Sequence, residues 1–351
     1  THIFRFQNMS KKVFSRMMVI LEMVEKEKNM SNKTKHLYLI ISMLAILIVP
    51  VYLYGIRPII VMAIGIGTAI IMDMICRIFF KTARKKFDLS SIVCAMAMAL
   101  MLPACVDYYV IVVAVVTGLL IAKYPFGGTD HMIFHPAALG LATVAISFPE
   151  QVFSFPAPQT KLGLAASLNE QAQIIYSSSP ASILNVGGTP KISYFDLLLG
   201  NFAGATGATC ILVLVLILLF LMVRKVVTYQ LVFSCLATVV IYATLFPRVA
   251  TGTLNSIVFE LTSGILLFGV TFLLSEPATV PQTGFGQVFY GFVLAICVML
   301  FRTVGSLDVE FVFVLLFTNA LSKEFDKLGH FLVRRIKGEA SNQVKAGDSN
   351  I

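Results

Sequence analysis

A Gly-Gly-Thr-Pro sequence at residues 187–190 offers a hydroxyl open to chemistry, directly before a long apolar run. A hydroxyl that a second enzyme modifies must enter that enzyme's active site, and Gly187 and Gly188 leave room for such an approach. Pro190 restricts the backbone on the other side. Thr189 is therefore a candidate for modification in trans, although the four residues alone favour an ordinary turn before the next apolar segment.

Acidic side chains inside apolar runs form a second set of candidates. Asp73 and Arg77 stand four residues apart on one helical face, so their spacing predicts an ion pair. Glu260 and Glu276 have no such partner nearby in the sequence. A carboxylate at the bilayer centre costs about 2.5–3.5 kcal/mol on insertion scales, so it is usually retained for a purpose or rests at the interface. Both glutamates are therefore candidates for a cation or proton path.

The six cysteines do not have the spacing of a metal or iron–sulfur site. No C-x-x-C pair occurs, and each thiol lies in or beside an apolar run. Free cysteine behaves as a small hydrophobic residue and is usually buried. We therefore expect packing roles, and no metal site built within the chain, for Cys76, Cys94, Cys105, Cys210, Cys235 and Cys297.

The elements that must position these residues are membrane spans. Of the 351 residues, 58% are hydrophobic and 13% are charged, whereas a soluble domain carries about 25% charged residues. The mean hydropathy is +0.87, and apolar runs reach the ~20 residues needed to cross a bilayer. The net charge of +9 comes from basic residues in short segments beside these runs, which is typical of membrane orientation and not of nucleic-acid binding.

The apolar runs predict about ten spans, so that both termini lie on the same side. All but five of the 27 lysines and arginines then fall on the side of the termini, and the positive-inside rule makes that side cytoplasmic. The five on the other side are Arg57, Lys161, Lys191, Arg248 and Arg302. The predicted spans are 37–56, 58–80, 89–106, 107–124, 132–149, 202–223, 229–246, 255–275, 285–301 and 308–325.

The two groups of five spans resemble each other. Pro103 matches Pro277, and a Gly-x-x-Asp turn recurs at Gly127 and Gly305. An odd number of spans forces two copies into opposite orientations, and inverted repeats place a ligand or ion path near the midplane. The predicted fold class is an all-α polytopic membrane protein with two inverted five-helix repeats. Its segments are a cytoplasmic N-terminal segment with an interfacial helix at 9–28 (1–36), the first repeat (37–149), an extracytoplasmic loop (150–201), the second repeat (202–325) and a cytoplasmic tail (326–351) that is disordered from 338.

Three sequences in a fixed order resemble the RnfD/NqrB family, over about residues 37–335. FDLSS is followed by ALMLP, the fourth span by FGGTDHMIFHPAALG, and the GGTP turn by LLLGNFAGATGAT. Members of that family are flavin-bearing membrane subunits of the Rnf and sodium-pumping NADH:quinone reductase complexes. The resemblance implies that a flavin transferase joins the phosphate of FMN to a loop threonine, and that this threonine is Thr189.

The loop motif of the family is of the Ser-Gly-Ala-Thr type, and this chain departs from it. Gly187 takes the place of the motif glycine, and Gly188 stands where alanine is usual. Val186 replaces the serine, and Ile183 stands where an acidic residue often precedes it. These differences weaken the expected recognition by the transferase, so a scaffold subunit without covalent flavin stays open.

A second Gly-x-Thr sequence lies at 203–206, at the mouth of the sixth predicted span. A transferase would collide with the bilayer there, and the spacing of Gly200, Gly204 and Gly207 favours close helix packing. In the family, this glycine-rich segment lies close to the flavin. The resemblance therefore implies that Gly204 and Gly207 contribute to the cofactor site.

The resemblance also bears on the ion path. In FGGTDHMIFHPAALG, His135 replaces an asparagine of the family pattern. An imidazole can hydrogen-bond and titrate near neutral pH, so His135 is a candidate wall of a flavin or ion site, with a packed turn as the alternative. Glu276 falls on the aspartate of the family's Asp-Pro-Val-Thr turn, which makes it a stronger candidate than Glu260.

The predicted function is that of a membrane subunit of an Rnf-type complex in the bacterial inner membrane. Electrons would pass through FMN, coupled to movement of Na⁺ or H⁺, and riboflavin is a candidate for a second, non-covalent flavin. The chain has no dinucleotide fingerprint and no cluster ligands, so we expect it to be inactive alone. The expected partners are other membrane and peripheral subunits, a flavin transferase and membrane lipid. A small-solute channel of the urea-channel type, which shares the five-plus-five plan, is the alternative from a different class.

Overall fold

The computed structural model of the chain describes residues 31–79, 88–163, 175–249, 252–305 and 308–348. Within these ranges the regular elements are helices, apart from one isolated bridge between Pro156 and Tyr176. The first five are α1 (Asn32–Tyr54), α2 (Arg57–Phe79), α3 (Leu89–Met101), α4 (Tyr108–Ala122) and α5 (Pro136–Ser147). Short helices follow as α6 (Pro149–Phe153), α7 (Pro180–Asn185) and α8 (Tyr194–Leu199). The remaining helices are α9 (Ile211–Val223), α10 (Tyr229–Leu245), α11 (Thr253–Thr262), α12 (Leu266–Phe272), α13 (Gly284–Val304), α14 (Glu310–Ala320) and α15 (Ser322–Asp348).

Helix lengths and surface composition make this a multi-pass membrane protein. Helices α1, α2 and α13 are long and apolar enough to span a membrane, and α11 with α12 adds a fourth span, bent by 51°, if the pair is counted as one. Six shorter apolar helices accompany them: α3, α4, α5, α9, α10 and α14. Large apolar side chains are exposed along the helices, such as Ile48 and Val223, as expected where lipid and not water is the solvent. The figure of about ten spans and the inverted arrangement stay predictions.

Some predicted spans are only partly helical because the chain leaves the helix inside them. The predicted span 89–106 is helical only to Met101, and Pro103 follows. Proline lacks an N–H and disfavours helical backbone before it. The predicted span 202–223 becomes helical only at Ile211.

The two non-helical stretches pair with each other. The Thr206 N–H donates to the Leu102 carbonyl at 3.1 Å, and the Gly207 N–H donates to the Leu100 carbonyl at 2.6 Å. Backbone outside a helix is tolerated at membrane depth only where protein buries it, and residues 202–210 are almost all buried. Protein contacts thus replace the helical hydrogen bonds.

Close approach of backbones occurs at glycines. A Cβ on Gly118 of α4 would lie 2.4 Å from the Pro136 carbonyl oxygen of α5, so only glycine permits this helix contact. The predicted packing role also holds for Gly207, where a Cβ would lie 2.7 Å from the Cβ of Leu100. Gly207 packs from a non-helical stretch, however, and not from a helix as the sequence predicts.

The bundle has two polar ends. The loop end carries residues 175–200, and there the Arg248 guanidinium donates to the Asn185 side chain of α7 at 2.8 Å. The tail end carries α15, whose Asp326 accepts hydrogen bonds from the Gln282 and Thr283 N–H groups, both at 2.8 Å.

Three of the five basic residues predicted on the outer side have tertiary roles. Arg57 donates to the carbonyl oxygens of Cys105 and Val106 at 3.3 Å and 3.0 Å. Arg248 and Arg302 form ion pairs at the loop end. These arginines are required by the fold, so they do not weaken the orientation argument.

The tail differs from its prediction. Disorder from residue 338 is wrong as far as Asp348, because α15 runs on to that residue; no proline interrupts the stretch. The interfacial helix predicted at 9–28 lies outside the described residues.

Candidate functional site

The candidate threonine directly follows α7, and two glycines end that helix. Gly187 has φ of +74°, a left-handed conformation that glycine adopts without strain. Its N–H donates to the Leu184 carbonyl at 3.0 Å, and the Gly188 N–H donates to the Ile183 carbonyl at 2.9 Å. These two bonds form a Schellman motif, which satisfies carbonyls at the end of a helix. The glycines that the sequence assigns to enzyme access thus also end α7.

Two departures from the family motif depend on each other. A Cβ on Gly188 would lie 2.9 Å from Cγ2 of Ile183 and 3.1 Å from its carbonyl oxygen. Since Cγ2 is attached directly to Cβ, it cannot move aside without a change of rotamer or backbone. Alanine, the usual family residue at 188, is therefore disfavoured while isoleucine occupies 183.

The two Gly-x-Thr threonines differ in exposure. Thr189 is exposed, beside Val186, which is also exposed. Thr206 is buried, and its hydroxyl donates to the Leu102 carbonyl. Of these two hydroxyls, that of Thr189 is the one presented at the surface.

Helix α7 is fastened at both ends to the helix bundle. At its start, the Ser179 hydroxyl accepts from the Ser182 N–H at 3.0 Å and donates to the Asp308 carboxylate. At its end, Asn185 accepts from Arg248 at 2.8 Å. The position of Thr189 is thereby linked to residues beside α10 and α14.

Glu260, which has no partner nearby in the sequence, is paired in the fold with two arginines. Its carboxylate lies 3.0 Å from Nη1 of Arg302 and 3.2 Å from Nη1 of Arg248. Arg302 also pairs through Nε with Glu310. Glu260, Arg302 and Glu310 are all buried. These four residues and Asp308 are called the loop-end cluster below.

Arg302 also supports the break between α11 and α12. Gly264 has φ of +63° there, and a break of this kind frees carbonyl oxygens that a continuous helix would bond. Nη2 of Arg302 donates to the Ser263 carbonyl at 2.9 Å, and Nη1 donates to the Glu260 carbonyl at 2.5 Å. Charge pairing and backbone satisfaction thus depend on the same guanidinium.

Glu276 and His135 come together at the tail end, and Glu260 does not join them. Both are buried, and His135 lies within electrostatic range of Glu276. His36 of α1 is a third, unpredicted member, with Nε2 3.8 Å from the Glu276 carboxylate. His135 also caps α5, because its Nδ1 accepts from the Ala137 N–H at 3.2 Å. Two imidazoles and a carboxylate are groups that can exchange protons.

The predicted Asp73–Arg77 ion pair is confirmed. Asp73 also accepts a hydrogen bond from the Tyr124 hydroxyl at 2.7 Å, a long-range contact that the helical spacing does not indicate. The pair belongs to the tail end, where α2 finishes and α3 begins.

Asp88 is a second carboxylate at that end, in front of α3. It accepts from the Ser90 N–H at 3.0 Å and from the Thr129 hydroxyl, and it lies 3.0 Å from Nζ of Lys123. Burial alone would raise the pKa of Asp88, but the charge of Lys123 and these hydrogen bonds outweigh it and lower the pKa to about 2. Asp88 is therefore ionised at physiological pH.

Cysteines and metal ligands give no alternative site. Five of the six cysteines are buried, and Cys297 is partly buried, in keeping with packing roles. Among the described residues, no group of three or more His, Cys, Asp or Glu side chains could hold a metal ion.

Comparison with known proteins matches most of the chain to one family. The NQR2, RnfD, RnfE family matches residues 24–330. The RnfD protein of the ion-translocating oxidoreductase complex of Haemophilus influenzae (strain Rd) is 25% identical, over 91% of this chain and 98% of the relative. The protein of the same name from Haemophilus ducreyi is 24% identical, over 86% and 93%. The D-type component of the proton-translocating ferredoxin:NAD(+) oxidoreductase complex of Clostridium ljungdahlii is 24% identical, over 79% and 84%.

Proposed function

The chain belongs to the NQR2, RnfD, RnfE family, and we propose that it is the RnfD-like membrane subunit of an ion-translocating electron-transport complex. Similarity over nearly the whole length of several RnfD proteins supports this assignment. The apolar spans supply the membrane part. Electrons reach the subunit from partner subunits, because the sequence has neither a dinucleotide fingerprint nor cluster ligands.

The observation that carries the cofactor proposal is the contrast between the two threonines. Thr189 follows a Schellman-capped helix and is exposed, whereas Thr206 is buried and hydrogen-bonded. A flavin transferase can therefore approach the Thr189 hydroxyl, and the residues present fit a phosphoester to FMN. Bound flavin would supply exchange of one or two electrons. The chain's own contribution is position, through the two anchors of α7.

Ion movement is assigned to the tail-end group and to the interface of the two halves. Glu276, His135 and His36 are buried together and can take up and release a cation or proton. Moving one charge against 100 mV costs about 2.3 kcal/mol, so each electron step must release more than that. The five-plus-five inverted plan, with the loop end outside and both termini in the cytoplasm of a bacterial cell, belongs to the same proposal.

The flavin proposal is tested by co-expressing the chain with a flavin transferase and recording flavin fluorescence in a denaturing gel. A phosphoester survives the gel, whereas non-covalent flavin, including riboflavin, is lost. Thr189→Val removes the nucleophilic oxygen, so we expect the fluorescence to disappear. Thr206→Val is the matched control and should leave the fluorescence unchanged.

The reverse pattern would assign the attachment to Thr206. A dark wild-type chain would show that Val186 and Ile183 have abolished recognition, and the subunit would then be a scaffold without covalent flavin.

A further inference from the structure

A cavity lies at the loop end, where three non-helical segments meet. Its walls include residues 202–209, Gly264 at the break between α11 and α12, and Asp308 before α14. The centre of a water-sized sphere can occupy ≈ 10 Å³ within it. That is room for about one water molecule or one ion.

Two buried polar atoms on the cavity wall have no hydrogen-bond partner among the described residues. They are Oδ1 of Asp308 and Oγ1 of Thr209. Asp308 is 6% exposed and Thr209 is 1% exposed. The other carboxylate oxygen of Asp308 accepts from the Ser179 hydroxyl. Buried polar atoms are nearly always satisfied in folded proteins, so this wall calls for a polar occupant.

The charge of the loop-end cluster defines the occupant further. Asp308, Glu260 and Glu310 supply three negative charges, and Arg248 and Arg302 supply two positive ones. Oε2 of Glu310 also has no partner among the described residues. A buried group with a net charge of minus one is unfavourable unless a counter-charge balances it. One positive charge completes the cluster.

We propose that this cavity binds one small monovalent cation, held by Asp308 Oδ1, Thr209 Oγ1 and carbonyl oxygens of the surrounding non-helical backbone. Oxygen donors suit hard cations, and unwound backbone at a helix break is a source of carbonyl ligands for such ions. A divalent ion would leave an excess of positive charge. The binding does not depend on flavin; only its use in transport rests on the proposed function.

The site is coupled to the candidate flavin loop by geometry. Asp308 accepts from Ser179, and Ser179 caps the start of α7, which ends directly before the Thr189 turn. Neutralising Asp308 with a cation changes the charge that faces this cap. Cation occupancy and loop position are thereby connected through one hydrogen bond and a short helix.

The test uses the purified full chain in detergent, with Na⁺ as the probe and choline chloride keeping the ionic strength constant. A ligand that binds the folded state raises the midpoint of thermal unfolding in a saturable way, and titration calorimetry gives the affinity. Asp308→Asn should remove the Na⁺ response. Thr209→Val should weaken Na⁺ binding by about tenfold or more, whereas Thr209→Ser keeps the hydroxyl and should stay close to wild type.

Two control variants have matched chemistry elsewhere. Asp107→Asn changes a buried carboxylate that accepts from Gln151 at 2.9 Å. Thr271→Val changes a buried hydroxyl that bonds to the Leu267 carbonyl of its own helix at 2.7 Å. Both should keep the Na⁺ response.

Equal midpoints in Na⁺ and choline for the wild type would overturn the proposal and leave water as the occupant. A Na⁺ response that persists in Thr209→Val would also overturn it, because the ion would then bind elsewhere. If Asp308→Asn does not fold, the Thr209→Val and Thr209→Ser pair decides. Na⁺ binding that persists in Thr189→Val, with flavin fluorescence lost, separates this site from the flavin proposal.

Discussion

Glu260 and Glu276 look alike in the sequence, as carboxylates in apolar surroundings without a local partner, yet the fold gives them different environments. Glu260 lies between two guanidinium groups at the loop end, at 3.0 Å and 3.2 Å. Glu276 lies at the tail end with His36 at 3.8 Å and His135 within electrostatic range. The first carboxylate has permanent positive partners, because arginine does not lose its charge in proteins.

This difference separates a structural carboxylate from one that can change state. An arginine-paired carboxylate is fixed in charge, and breaking the pair leaves an uncompensated buried ion. A carboxylate beside imidazoles has partners that gain and lose protons near neutral pH. We therefore expect Glu260 to determine stability, and Glu276 to determine ion movement.

Replacing Arg302 should have the largest effect on stability. Arg302→Met leaves Glu260 and Glu310 without their shared partner and removes two donors to the backbone at the α11–α12 break. We expect the free energy of unfolding to fall by about 3–5 kcal/mol, measured by denaturant titration in detergent. Arg77→Met removes a more exposed partner and should have a smaller effect. Equal losses in the two variants would show that burial of the loop-end cluster carries no special weight.

Exchanging each glutamate for glutamine should separate the two roles. In the assembled complex, Glu276→Gln should lower ion translocation by about tenfold or more, because a group that can exchange a proton is lost, while flavin content is kept. Glu260→Gln should chiefly lower the free energy of unfolding. Translocation is measured in proteoliposomes, and stability on the purified subunit. Full translocation by Glu276→Gln at saturating electron donor would return this residue to a packing role.

Acid titration should give the smallest effect, at Asp88. Its pKa is lowered to about 2 in the folded state, below the ~3.9 of an unperturbed aspartate. The folded state therefore binds fewer protons, so the contribution of Asp88 is fully present above about pH 4 and is lost as the pH falls towards 2. In thermal unfolding between pH 5 and pH 2.5, roughly, Asp88→Asn should flatten part of the acid dependence. An identical pH profile in wild type and variant would contradict the role given to Lys123 and Thr129.

Local patterns in the sequence predicted local features correctly. The Asp73–Arg77 pair follows from a four-residue helical spacing, which fixes two side chains on one face whatever the rest of the fold does. The membrane class follows from composition, since apolar runs of this length have no other stable environment. Family membership follows from sequences in a fixed order, and the match over residues 24–330 confirms it.

Tertiary structure decided the features that depend on distant parts of the chain. Arg302 is 42 residues from Glu260, and His36 lies far from Glu276 in sequence, so no periodicity could indicate either contact. The predicted helix at 202–210 is absent because this stretch bonds to residues 100–102 in place of its own turns. The cavity between Asp308 and Thr209 exists only where three such breaks meet. Composition and spacing determined the solvent and the family, whereas charge pairing across the bundle is a property of three-dimensional packing.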